Sequence, residues 1–203
     1  MNTAITVPWG TLFGLLFMTM GPIRAIAVFS IYGESDEAPA VRSLAWRSIV
    51  LSAIAFCVAL FMGDGALQSW GVGMPALIAA AGAILFILSL QMIMFPAPQA
   101  PTIVDPASVT PAQVCFPGLF PPLAVAIPVI FAAAAPGTLA RLIILAIGLF
   151  ILLLDWLAMR YAKRIIKTIG PVPLKLFGAV FGILQAALGI EFIIDAWRLL
   201  EEP

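Results

Sequence analysis

From Trp9 onward the chain alternates long apolar runs with short polar connections, and the run lengths are informative. A helix rising about 1.5 Å per residue needs about 20 apolar residues to cross a hydrocarbon core of about 30 Å. Six segments meet that length: 9–31, 45–63, 74–95, 117–137, 141–159 and 174–196. Trp and Tyr prefer the headgroup level, which tests the boundaries independently. Trp9, Tyr32, Trp46, Trp70, Trp156, Tyr161 and Trp197 are all the Trp and Tyr residues of the chain, and each falls at or just beyond an end of a run. The pattern predicts an all-α integral membrane protein with six transmembrane helices.

The connection at 96–118, "PAPQAPTIVDPASVTPAQVCFPG", has six prolines and one charge, Asp105. Proline removes a donor and fixes the chain away from helix, so this stretch reads as an extended link. It divides the chain into a first three-helix repeat at 1–95, a proline-rich cytoplasmic loop at 96–116 and a second three-helix repeat at 117–203. The third spans of the two halves correspond at an offset of one hundred: "GAILFILSLQMIMF" at 82–95 and "GILQAALGIEFIID" at 182–195 align Gly82 with Gly182, Leu88 with Leu188 and Ile93 with Ile193. Three spans per half make the second half enter from the opposite side. The expected architecture is a 3+3 inverted repeat, on which many secondary transporters build a midplane site.

Composition agrees with lipid as the solvent: 63% of the 203 residues are apolar and 10% charged, with a mean hydropathy of +1.14, against roughly half and a quarter for soluble domains. Ten basic residues balance ten acidic ones, which leaves no excess charge for nucleic acid. Arg42, Arg47, Arg160, Lys163, Arg164, Lys167 and Lys175 gather on one side, against Arg141 and Arg198 on the other. By the positive-inside rule the first, third and fifth connections face the cytoplasm and both termini lie outside. "MNTAITVPWG" lacks the basic region of a cleavable signal, so the first span is expected to be retained. Histidine is absent, and Cys57 and Cys115 form no CxxC pair. Zinc sites and histidine acid–base chemistry thus lose their usual groups; the expectation is a non-enzyme with no metal and no cofactor.

Candidate chemistry centres on "MTMGPIRAIAVF" at 18–29. Proline within a helix leaves the carbonyl four residues earlier without a donor, and such a group in hydrocarbon costs several kcal/mol unless protein or water satisfies it. Gly21-Pro22 in the first span and Pro128 in the fourth each sit about a dozen residues into their helix. They are the expected breaks, offering carbonyls and a half-helix N-terminus to a solute. Pro136-Gly137, in "AAAAPGT", adds a discontinuity at the outer end of the fourth span. Arg24 lies about one turn inward of the first break, where a charge costs about 2.5 kcal/mol or more; it needs a partner, a solute or the interface. Asp155 lies at a similar distance from the cytoplasmic end, and the two are expected to approach as an ion pair unless both snorkel. Gly178, Gly182, Gln185 and Gly189 form one stripe of the sixth span. Small stripes let helices pack closely, and Gln185 alone among these could meet a solute. "RYAKRIIK" reads as a solvated face on anionic headgroups.

The chain resembles the MarC-type integral membrane proteins. The resemblance is carried by "MTMGPIRAIAVF", "GVGMPALIAAAGAILFILSLQMIMFP", "FPPLAVAIPVIFAAAAPGT" and "LFGAVFGILQAALGIEFIID". It implies transport of a small neutral solute such as an amino acid, in a bacterial cell (inner) membrane with periplasmic termini. The chain departs from the family at the breaks: Gly21 stands where the family shows asparagine before Pro22, and Ala135 replaces a leading glycine before Pro136, Gly137 and Thr138. Three functions follow from the residues: a transporter, with the lipid bilayer and a small solute as partners and a homo-oligomer allowed by the glycine stripes; a non-transporting accessory subunit; and an intramembrane enzyme, which lacks placed nucleophiles and metal ligands.

Overall fold

The computed structural model describes residues 9–32, 38–94, 104–135 and 137–201. Its regular elements are helical: α1 (Trp9–Met20), α2 (Pro22–Phe29), α3 (Pro39–Ser69), α4 (Met74–Met94), a 3₁₀ turn (Pro106–Ser108), α5 (Pro111–Val114) running into a π-helical turn (Cys115–Leu119), α6 (Pro122–Ala134), α7 (Thr138–Arg160), α8 (Ala162–Ile169) and α9 (Pro171–Glu201). Among the described residues a single parallel bridge joins Tyr32 to Val104. By length and composition five helical stretches can cross a membrane, with α1 and α2 forming one of them; the pair Pro111–Leu119 and Pro122–Ala134, bent by 64°, makes a sixth if counted as one span.

Proline starts helices here more often than it ends them. Pro22, Pro39, Pro111 and Pro122 each occupy a first helical position, where the missing N–H has no intrahelical role and the fixed φ suits the helix. This overturns part of the expected loop. At Thr110 a capping box forms: the Thr110 hydroxyl accepts the Gln113 N–H at 3.4 Å and the Gln113 side chain accepts the Thr110 N–H at 2.8 Å. Residues 111–115 are therefore helical up to a kink at Phe116 (φ −111°, ψ 126°), and Val114 and Cys115 are buried. Cys115 packs on α3, its Sγ 3.1 Å from the Ser52 hydroxyl. The "TPAQ" signature is a helix start, not part of an extended link. Residues 95–103 of that loop lie outside the described ones.

The core gathers around α1, α2, α3, α6 and α7, while α4 and α9 pair chiefly with each other. Those two helices meet backbone to backbone. A Cβ at Gly82 would stand 2.6 Å from the Gly189 carbonyl oxygen, and one at Gly189 would stand 2.8 Å from that of Gly82, so only glycine fits either position. Residues 82, 85 and 89 are buried on α4, and 182, 185 and 189 on α9. On the other side of the bundle, Phe56 of α3 lies against Gly148 of α7, and Trp46 meets Trp156 edge-on with ring centres 6.4 Å apart. As the α3 number falls the α7 number rises, so these helices are antiparallel.

Candidate functional site

The first break is at Gly21, which is extended (φ −83°, ψ 179°) between α1 and α2. A Cβ there would overlap the Phe17 carbonyl oxygen, so the chain can turn this sharply only with glycine. The Arg24 N–H, which in a continuous helix would serve Met20, turns instead to the Gly21 carbonyl at 3.0 Å. Pro22 has no N–H for the Met18 carbonyl, four residues earlier. That carbonyl receives the side-chain amide of Gln185, from α9, at 2.5 Å. Gln185 is 6% exposed, so its donor is held inside the bundle against a half-buried residue.

The second break stands one hundred positions on. Phe120 leaves the helix (φ −118°, ψ 81°) and Pro121 is extended (φ −69°, ψ 162°). The Ala124 N–H turns to the Pro121 carbonyl at 2.9 Å, as that of Arg24 does to Gly21. Two prolines in tandem deprive two carbonyls, those of Pro117 and Gly118. Both are met by Arg24: Nε donates to the Gly118 carbonyl at 2.7 Å and Nη2 to that of Pro117 at 3.1 Å. Gly118 lets α2 cross close, since a Cβ there would lie 3.0 Å from Val28. The guanidinium thus donates to two carbonyls of the short turn between the kink at Phe116 and the start of α6.

The sequence model of the MarC family integral membrane proteins matches residues 8–200. The chain belongs to the MarC family. No curated protein and no solved structure matches it. In this MarC protein Gly21, Pro22, Arg24 and Gln185 come together around the two breaks, joined through the carbonyls of Met18, Pro117 and Gly118.

The other expected site residues do not join them. Pro128 is buried within α6, which continues through it, so the fourth-span break is at Phe120–Pro121 and not at Pro128. The physical reason is that a lone proline removes one bond from a helix, whereas tandem prolines remove two and force the preceding residue out of the helical region. Gly137 caps the start of α7 with φ 139°, beyond the far end of α6 from the break, and is exposed. Pro136 lies outside the described residues.

The expected ion pair of Arg24 with Asp155 is not formed. Arg24 is committed to the two carbonyls, and both carboxyl oxygens of Asp155 are buried without a hydrogen-bond partner among the described residues. Asp155 faces the core from α7, fully buried, so the snorkelling alternative fails as well. Elsewhere Arg141 pairs with Asp64 at 3.9 Å, and Arg198 with Glu191 and Asp195 at 3.6 and 3.1 Å. Among the described residues no three Cys, Asp or Glu side chains gather as a metal site.

What sequence reasoning missed is Pro121-Pro122 and the carbonyls before it. The signal is there to be read. Extending the hundred-residue offset from the third spans sets Pro122 opposite Pro22, and Gly118 opposite Met18.

Proposed function

We propose that this MarC protein is a transporter or exporter of a small neutral solute, such as an amino acid, and that its two halves form an inverted repeat rocking about the paired breaks. The observation that carries this reading is the reciprocal capping. The carbonyl freed by Pro22 in the first half takes its donor from Gln185 of the second, and the carbonyls freed by Pro121 and Pro122 take theirs from Arg24 of the first. The bonds that hold the halves together thus end on the groups that a solute ammonium or hydroxyl would seek. Exchanging a side-chain donor for a solute donor would free the two breaks to shift against each other while α4 and α9 stay packed, which is how a bound solute biases a two-state element. Asp155 extends the reading. An ionisable group inside a membrane span is a functional candidate by default, and its buried, undonated oxygens suit a cation or a solute ammonium reaching it in another arrangement.

Uptake and efflux of a panel of labelled neutral amino acids in proteoliposomes tests this. Flux of at least one member is expected, lost in Arg24→Met and reduced in Pro22→Ala and Asp155→Asn. No flux of any member by intact protein would leave the second reading, a non-transporting accessory subunit, which is favoured by the fact that each break is already satisfied by the protein's own side chains.

A further inference from the structure

A cavity of about 190 Å³ lies between the first turns of α3 and the last turn of α7. It follows from the antiparallel packing of these helices. Arg42 and Trp46 share one face of α3 at a spacing of four, and Trp156 and Arg160 share one face of α7 at the same spacing, so the two pairs meet. Arg160 lies over the Trp156 ring, 5.7 Å from its centre, and Phe29 and Met159, both buried, contribute apolar floor. Trp46 is 58% exposed, so the cavity opens on the outer surface of the bundle.

Arg42 and Arg160 line the same cavity, and neither makes an ion pair among the described residues. Arg42 is exposed and Arg160 half-buried, so both guanidinium groups stand at the mouth of the cavity, where an anion would meet the two together. Tryptophan favours the headgroup level, and the pair of Trp46 and Trp156, 6.4 Å apart, would hold the cavity there. Immediately after Arg160, α8 begins, and its Ile165 and Ile166 pack on the core.

We propose that this cavity binds one anionic phospholipid, its phosphate held by Arg42 and Arg160 and its glycerol and first methylenes against Phe29 and Met159. A soluble anion would have no use for the apolar floor, and a zwitterionic lipid would leave the two arginines half compensated. The site needs only that the chain sits in a bilayer and is independent of the transport reading.

Native mass spectrometry of the purified chain, with added phosphatidylglycerol or phosphatidylcholine, decides it. One phosphatidylglycerol is expected to be retained under conditions that strip phosphatidylcholine. At about 1 kcal/mol per basic residue, Arg42→Gln or Arg160→Gln should weaken retention about fivefold and the pair of substitutions about thirtyfold. Arg47→Gln, on the exposed face of α3, should leave it unchanged. If the double variant does not fold, the single variants carry the test. Equal retention of phosphatidylcholine would reduce the site to an apolar groove. Displacement of the lipid by inorganic phosphate would make it a soluble-anion site. An equal loss in Arg47→Gln would make it diffuse surface charge. Each of these overturns the proposal.

Discussion

The two helix breaks solve the same problem with different chemistry. At the first, one proline deprives one carbonyl, and one neutral amide donor, Gln185, answers it. At the second, two prolines deprive two carbonyls, and a guanidinium with several donors in a fixed fork answers both. The number of missing N–H groups matches the number of donors supplied. This accounts for a half-buried arginine within a candidate membrane span and paired with no carboxylate among the described residues: charge is the cost, and two charge-assisted bonds to carbonyls offset it. It also separates the bends. The first break keeps Trp9–Phe29 as one span, whereas the second turns the chain by 64°.

The largest effect is expected where two bonds depend on one side chain. Arg24→Met leaves both carbonyls without donors and should cost about 1–3 kcal/mol, the range for one unsatisfied buried group, because the Gly118 carbonyl is part-buried and the bond to Pro117 is exposed. Arg24→Lys, with a compact ammonium in place of the fork, should recover about half. The measurement is unfolding free energy in mixed micelles. A loss below about 1 kcal/mol for Arg24→Met would mean that the arginine is a surface group and that the comparison between the breaks is false.

Next comes the glycine that makes the first break possible. Gly21→Ala drives a methyl group into the Phe17 carbonyl, an overpacking of about 1–3 kcal/mol. The second break has proline at the equivalent position, so Pro121→Ala should be far milder in the same assay. A tolerant Gly21 would show that α1 and α2 can separate further than the packing suggests.

Five of the six spans are legible from the run lengths, because hydrocarbon thickness fixes them, and the fourth counts as a sixth only when the pair bent by 64° is taken as one span. The breaks are legible by half. Gly21-Pro22 stands out because glycine beside proline inside an apolar run removes both the side-chain restraint and the N–H that a continuous helix needs. The fourth-span break is misplaced at Pro128 when depth is counted from the start of the apolar run, because the helix begins earlier: Thr110 to Gln113 is a helix start hidden in a proline-rich stretch. Arg24 visibly needs a partner, but a search confined to charged side chains leads to Asp155 and misses it. Backbone carbonyls freed by proline carry no mark in sequence except the proline itself, four residues on, and that spacing at Pro121-Pro122 points to Pro117 and Gly118.

Gln185 should matter less than Arg24, since it serves one neutral bond. Gln185→Leu should cost about 1–2 kcal/mol, the upper range of bonds between membrane helices. Gln185→Glu should cost more, since a carboxylate sets acceptor against acceptor at the Met18 carbonyl. Equal, negligible effects of both would indicate that the Met18 carbonyl finds another donor when α9 shifts.

The smallest effect is the most discriminating, because it asks whether the prolines cause the dependence on the caps. In a Pro22→Ala background residue 22 regains an N–H for the Met18 carbonyl, so Gln185→Leu should lose about 0.5–1 kcal/mol of its effect as a coupling between neighbouring sites. In a Pro122→Ala background Pro121 still lacks its N–H and still holds Phe120 outside the helical region, so the cost of Arg24→Met should stay nearly whole. Coupling at the first break and its absence at the second is the outcome expected if one proline is reversible and two are not. Equal coupling at both would mean that Pro121 adds nothing to the bend, and that the guanidinium fork answers a single carbonyl after all.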